Sequence, residues 1–247
     1  AKRHRDLSRA RNQVACRLHA VLCELVPGGV SKEICAARAA AILDEAEPGG
    51  AVRQARLELA AEFTADLRRL DAQLRETRKK LAVAVRASGS TVTEVFGVGP
   101  VIAATVIGDV RDVSRFGRRD RFAAYDGTAP IEVSAGNRKV HRLSLRGNRR
   151  LNHAIHMAAI TQVRYKHSDG RACYDKKLAE GKTPKEALRA LKRQISDAIC
   201  KHLEADAARA AAAGAQGPGG QPGNDSVASA AGSHPERQLF GQATPGP

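Results

Sequence analysis

The sequence predicts a mostly α-helical protein, in which a helical coiled-coil arm precedes a basic helical domain carrying a helix-hairpin-helix-like turn and one short β-hairpin. Three observations carry that prediction. Alanine and leucine, mixed with 27% charged residues, favour helix over sheet. Apolar residues recur in a 4–3 rhythm through the N-terminal third. Phe96-Gly97-Val98-Gly99-Pro100 then runs into Val101, Ile102, Ala103, Ala104, Val106 and Ile107, a glycine turn feeding an apolar helix.

Taken in order, residues 3–26 space Leu7, Val14, Leu18, Val21 and Leu25 as an amphipathic helix that ends at Pro27-Gly28-Gly29. A short helix over about 32–47 stops at Pro48-Gly49-Gly50, and a longer one follows over about 51–87. In the longer helix Phe63, Leu67, Leu70, Leu74 and Leu81 keep a heptad seam. The first and third helices pair as an antiparallel coiled coil, whose seam serves either an intramolecular bundle or a homo-oligomer. Ser88-Gly89-Ser90 reads as a hinge, which divides the chain into an arm (1–90), a basic domain (91–204) and a disordered tail (205–247).

Within the basic domain, residues 131–145 centre on Gly136-Asn137 and suit a short hairpin. Asn148 is placed to cap a helix running to about Lys166. Thr183-Pro184-Lys185-Glu186 has the form of a capping box, and Ala187, Leu188, Leu191, Ile195, Ile199 and Leu203 line one face after it.

The charge pattern bounds the function. A formal charge of +15 and a pI near 10.2 call for a polyanionic partner, most simply nucleic acid. Five arginines (111, 115, 118, 119 and 121) meet two aspartates between 111 and 121. Arg138, Lys139, Arg142, Arg146, Arg149 and Arg150 follow with no acid among them. Val140, Leu143, Leu145 and Leu151 interrupt these cations, as in a folded segment with its charges turned outward together. The amides at the start of the helix after Gly97 and Gly99 suit a phosphate; the same five residues also suit a plain tight turn between packed helices. Aromatic residues make up 3% of the chain and Trp is absent, so phosphate contacts, more than base stacking, should carry affinity.

No apolar run approaches the length of a membrane span. The five cysteines form no CxxC pair and read as reduced cytosolic thiols. His153 and His156 lack a third ligand at a recognisable spacing, so no metal site is assigned. Asp109, Asp112, Asp120 and Asp126 read as partners for arginines or as turn caps.

The order GVGPVIAATVIGDV, RFAAYDGTAP, SAG, LSLRGNRRLNHAIHMAA resembles the C-terminal transposase domain of the insertion-sequence 116/110/902 family. The preceding helices resemble that family's coiled-coil segment, so the likeness covers roughly residues 1–204. The resemblance implies a DNA recombinase of a mobile element, guided by a structured RNA. Its four acids sit on a ribonuclease-H-like N-terminal domain, and a C-terminal serine is the nucleophile. It also implies DNA and guide RNA as partners, a cytoplasmic, nucleoid-associated bacterial setting, and Mg2+ only together with the acidic domain.

Two departures qualify the match. The chain opens at Ala1 inside the helical segment with no counterpart of the acidic domain, as expected of a C-terminal portion. The family nucleophile directly precedes the glycine after the GTAP-like turn, and here Ala135 precedes Gly136. Ser134 is the candidate replacement, but a one-residue slip along a strand turns a side chain to the other face. Two readings therefore stand: the C-terminal portion of a working transposase, or an inactive remnant or basic protein that still grips nucleic acid.

Overall fold

The computed structural model describes residues 1–135, 138–143 and 147–215; for 131–135, 138–143 and 214–215 it describes the backbone alone. The chain is mostly helical: α1 (Lys2–Leu25), α2 (Ala36–Asp44) and α3 (Ala51–Ala87) come first. The order continues with α4 (Pro100–Val110), α5 (Arg119–Asp126), β1 (Pro130–Ala135), β2 (Arg138–Leu143), α6 (Arg149–Arg164), α7 (Asp169–Ala179) and α8 (Pro184–Ala215). Short 3-10 turns at Val92–Glu94 and Ser114–Phe116 sit before and after α4.

Helices α1 and α3 lie antiparallel. Arg11 reaches Asp71 at 2.6 Å and Arg56 reaches Glu24 at 2.9 Å, so position rises along one helix as it falls along the other. Leu18, Leu22 and Leu67 are wholly buried in their shared cluster, each burial contributing about 1.5–3 kcal/mol. Leu22, rather than the expected Val21, takes the central position on α1, and Val21 packs only partly against the cluster. Thr64 is buried in this seam without an orphaned hydroxyl, because it donates to the Ala60 carbonyl at 2.8 Å. Of the seam read from the sequence, Leu18, Leu25 and Leu67, with Val14, Val21 and Phe63 in part, pack together within the chain.

The link at 88–90 is no free hinge. Val85, near the end of α3, belongs to the same core as Val92, Val106 and Ile195. Asp206 on α8 accepts from the Ser90 hydroxyl and from the Thr91 amide and hydroxyl, which fastens the link to the last helix. The first part of the expected tail is corrected too: α8 continues past Glu204 to Ala215, since alanine is the best helix former, and the remainder, 216–247, lies outside the described residues.

Around α8 the second core closes. Leu191 and Ile199 are wholly buried and Ile195 nearly so, in one cluster with Phe122 of α5 and Leu151 and Ile155 of α6. The start of α8 is the capping box expected of Thr183-Glu186, with the Thr183 amide and hydroxyl donating to the Glu186 carboxylate at 2.9 and 2.7 Å. Asn148 caps α6 by accepting from the Arg150 and Leu151 amides at 3.0 and 3.1 Å. Strands β1 and β2 pair antiparallel, with Ser134 opposite Lys139 and Ala135 opposite Arg138. At the foot of this pair Gly147 lies so close to Gly127 that a Cβ there would sit 2.6 Å from the Gly127 backbone. Among the described residues no helix is long and apolar enough to cross a membrane.

Candidate nucleic-acid interface

The glycine turn is built by a close approach. Gly97 has φ 83°, and a Cβ on it would meet the Ala158 carbonyl oxygen of α6 at 2.8 Å. Both facts require glycine, for reasons internal to the fold. Gly99 differs: its φ is −77°, it is exposed, and nothing lies within 4 Å of where its Cβ would be. Pro100 occupies the first turn of α4, as its missing N–H allows. The groove over this turn is lined by Glu94, Gly99, Pro100 and Thr161, together with His4 of α1 and Arg78 of α3. Burial, with Arg78 contributing, holds the His4 imidazole below its ordinary value.

At the other end of α4 the aspartates are taken. Asp109 accepts from Arg150 at 2.6 Å and from the Asn148 amide at 3.2 Å, while its carbonyl accepts from the Tyr125 hydroxyl at 3.0 Å. It ties α4, α5 and the start of α6 together. Arg115 lies over Phe116 and Tyr125 at 4.6 and 4.8 Å, a cation–π contact that immobilises its guanidinium. Asp112 accepts from Ser114, and these hydrogen bonds hold its carboxyl below the usual range. Asp120 pairs with Arg193 at 2.8 Å. The wholly buried Asp126 accepts from Ser196 at 2.5 Å and from the Thr128 amide at 2.8 Å; burial nevertheless pushes its carboxyl up. The reading of these four acids as partners and turn caps matches their contacts.

The predicted cations divide accordingly. Arg150 is paired with Asp109, and Arg119 lies 3.8 Å from Glu204 with half its side chain exposed. Arg118, Arg121 and Arg149 are exposed and make no ion pair among the described residues. The first turn of α6 carries Arg149 and Arg150 and no acid, although a helix start favours negative charge. Arg111, just past α4, is the one non-glycine among the described residues with positive φ (58°), a conformation that costs about 1–3 kcal/mol. The backbone of Ser134, Arg138, Lys139 and Arg142 lies in β1 and β2, whereas their side chains, and all of Arg146, lie outside the described residues.

The structure sets the glycine turn apart from Arg149 and Arg150 at the start of α6. Phe96 and Gly97 lie against Gln162 and Ala158, whereas Asp109 lies against Asn148 and Arg150, so α4 and α6 run antiparallel. An eleven-residue helix, about 16 Å long, separates the two ends. Three contacts were beyond sequence reasoning: the Asp109 junction, the Asp206 clamp, and a ring cluster of Phe96, Tyr165 and His167. None shows a periodic or local signal.

Buried Lys192 donates to Asn152 at 2.7 Å, and burial holds its ammonium below the ordinary lysine value. His156 is likewise lowered by burial, then by Lys192 and His153. Among the described residues no three of His, Cys, Asp and Glu converge on one point.

Residues 89–175, from the clamped link into α7, match the family model described as the transposase IS116/IS110/IS902 family. The chain is also similar to the uncharacterized 44.8 kDa protein of insertion element IS116 from Streptomyces clavuligerus, at 28% identity over 145 residues. That similarity covers 57% of this chain and 36% of the other protein, so the chain matches about a third of its relative's length. Both comparisons support the transposase family.

Proposed function

We propose that the chain acts in an insertion-sequence transposase, with residues 91–204 gripping DNA. The match of residues 89–175 to the transposase family carries this reading. The local charge balance supports it: the four aspartates of 109–126 are engaged within the fold, while Arg118, Arg121 and Arg149 stay exposed. The grip is on phosphates and largely independent of sequence. Neutralising about 6–10 phosphates would lower affinity about 10³–10⁵-fold between roughly 50 and 200 mM salt. Fluorescence anisotropy with labelled duplex DNA across that range tests it, and a binding constant that stays flat would overturn it.

The further reading is binding without covalent exchange by this chain alone. A structured guide RNA and a second copy joined through the arm complete the proposed assembly, in a bacterial cytoplasm at the nucleoid. Since Leu18, Leu25 and Leu67 of the seam are buried within the chain, a second copy would use the outer face of α3, where Val52 and Leu59 are exposed. Strand transfer through a phosphoserine link needs a hydroxyl in line with phosphorus, and metal ions held by acids beyond those described. Ala135 stands where the resemblance calls for that hydroxyl, and Ser134 precedes it in β1. Fusion to an acidic domain of the family should yield a protein–DNA adduct on a denaturing gel only after Ala135→Ser. An adduct from the unaltered fusion, lost in Ser134→Ala, would instead make Ser134 the nucleophile.

A further inference from the structure

Phe96 and Tyr165 stand out among the aromatic residues: they are 43% and 48% exposed, whereas Phe116 and Phe122 are buried. They also lie together. Phe96 meets Tyr165 at 5.8 Å and His167 at 5.7 Å, and Tyr165 meets His167 at 5.7 Å, all edge to face.

The cluster is held rigidly. Gln162, itself buried, donates its side-chain amide to the Phe96 carbonyl at 2.7 Å. The Ser168 hydroxyl donates to the carbonyls of Gln162 and Tyr165 at 2.7 and 2.9 Å, which fixes the 165–168 loop beneath the rings. A Cβ on Gly170 would overlap the Gln162 side chain, so glycine there leaves room for that glutamine. Exposed aromatic faces held in place lose little conformational entropy on binding.

We infer that Phe96, Tyr165 and His167 form a stacking platform for an unpaired nucleobase, an inference that rests on the nucleic-acid reading above. The surroundings favour a base over an aliphatic partner. Arg164 and Lys166 flank Tyr165, are exposed, and make no ion pair among the described residues. A cavity of about 320 Å³ opens beside the rings and is fringed by hydrogen-bonding groups of Gln194, His202 and Asp169, suited to base edges. Glu94 and Asp169 are the carboxylates nearby; they do not oppose a neutral base, while the backbone phosphates fall toward Arg164 and Lys166. The platform takes a base already out of its pair, from single-stranded DNA or RNA.

The test uses the full chain and fluorescence anisotropy with four probes: a thymidine oligonucleotide, its uridine RNA counterpart, an abasic strand of equal phosphate number, and a duplex. The wild type should favour the base-bearing strands over the abasic one. Tyr165→Ala should lower affinity for them by about 5- to 150-fold and erase that preference. Duplex affinity should not change, and Tyr165→Phe should retain the preference. The DNA and RNA arms identify the strand, and a preference in either supports the platform. Phe96→Ala should act likewise; Tyr165, with its ring at the surface, carries the test if that variant does not fold. Equal affinity for base-bearing and abasic strands overturns the platform and leaves the DNA-binding reading standing, whereas no binding of any probe overturns both. A change of oligomeric state on sedimentation of Tyr165→Ala, with strand affinities intact, overturns it in favour of a contact between copies.

Discussion

Asp206 holds Thr91 by two hydrogen bonds, from the amide at 3.0 Å and the hydroxyl at 2.7 Å, and so binds the last helix to the joint that follows α3. Burial alone would raise this carboxyl, but the bonds from Thr91, Ser90 and Arg209 outweigh it and hold the group below the ordinary aspartate value. The folded pKa is depressed, so the stabilisation is present above the ordinary value and is lost as pH falls through the folded one. Asp206→Ala should therefore cost about 2–3 kcal/mol at neutral pH. The gap from wild type should narrow in acid. Urea unfolding at pH 7 and pH 3 measures both, and an equal gap at the two pH values would contradict the assignment.

Gly97 and Gly99 should behave differently, although both belong to one short motif. Gly97→Ala forces a Cβ onto the Ala158 carbonyl and an L-residue into positive φ. The conformation alone costs about 1–2 kcal/mol, so the melting temperature should fall. Gly99→Val meets neither obstacle and should fold normally. Reduced DNA affinity in folded Gly99→Val would mark a phosphate at the start of α4; unchanged affinity would leave the turn a packing device.

The arginines should separate in their salt dependence. Arg118→Gln, Arg121→Gln and Arg149→Gln each remove an exposed cation, and each should lower the slope of log affinity against log salt by about 1. Arg150→Gln should chiefly loosen the Asp109 junction, which appears as lower thermal stability. Slopes unchanged in all three exposed variants would move the DNA contact elsewhere on the molecule.

Cys200 should be chemically silent. Burial, with Glu204 beside it, pushes its thiol up to about 12. At pH 8 only about one molecule in ten thousand would carry the thiolate that reacts. Iodoacetamide followed by mass spectrometry should label the exposed Cys16, Cys23 and Cys35 in the folded protein and Cys200 only after unfolding. Early labelling of Cys200 would show that the α8 core opens readily.

Most of the helices were legible in the residues themselves, though α5 and α7 were not. The boundaries of α3, the Asn148 cap and the Thr183–Glu186 box match their expectation, because apolar period and capping act within a turn or two of chain. The end of α8 was misplaced because alanines carry helix propensity without a hydrophobic face to announce it. The basic character of residues 111–150 was equally a matter of composition.

What the sequence by itself determined, then, is that the chain is strongly basic and which segments form most of its helices, α5 and α7 excepted. Only the tertiary structure decided which cations stay free, since Asp109 finds Arg150, and Asp120 finds Arg193, across long stretches of chain. It also set the glycine turn a helix length away from Arg150 and brought Phe96 against Tyr165 and His167. Such pairs follow from the antiparallel packing of α4 on α6 and of both around α8. That packing is driven by non-directional burial of apolar faces, which leaves no local mark on the polar residues it brings together.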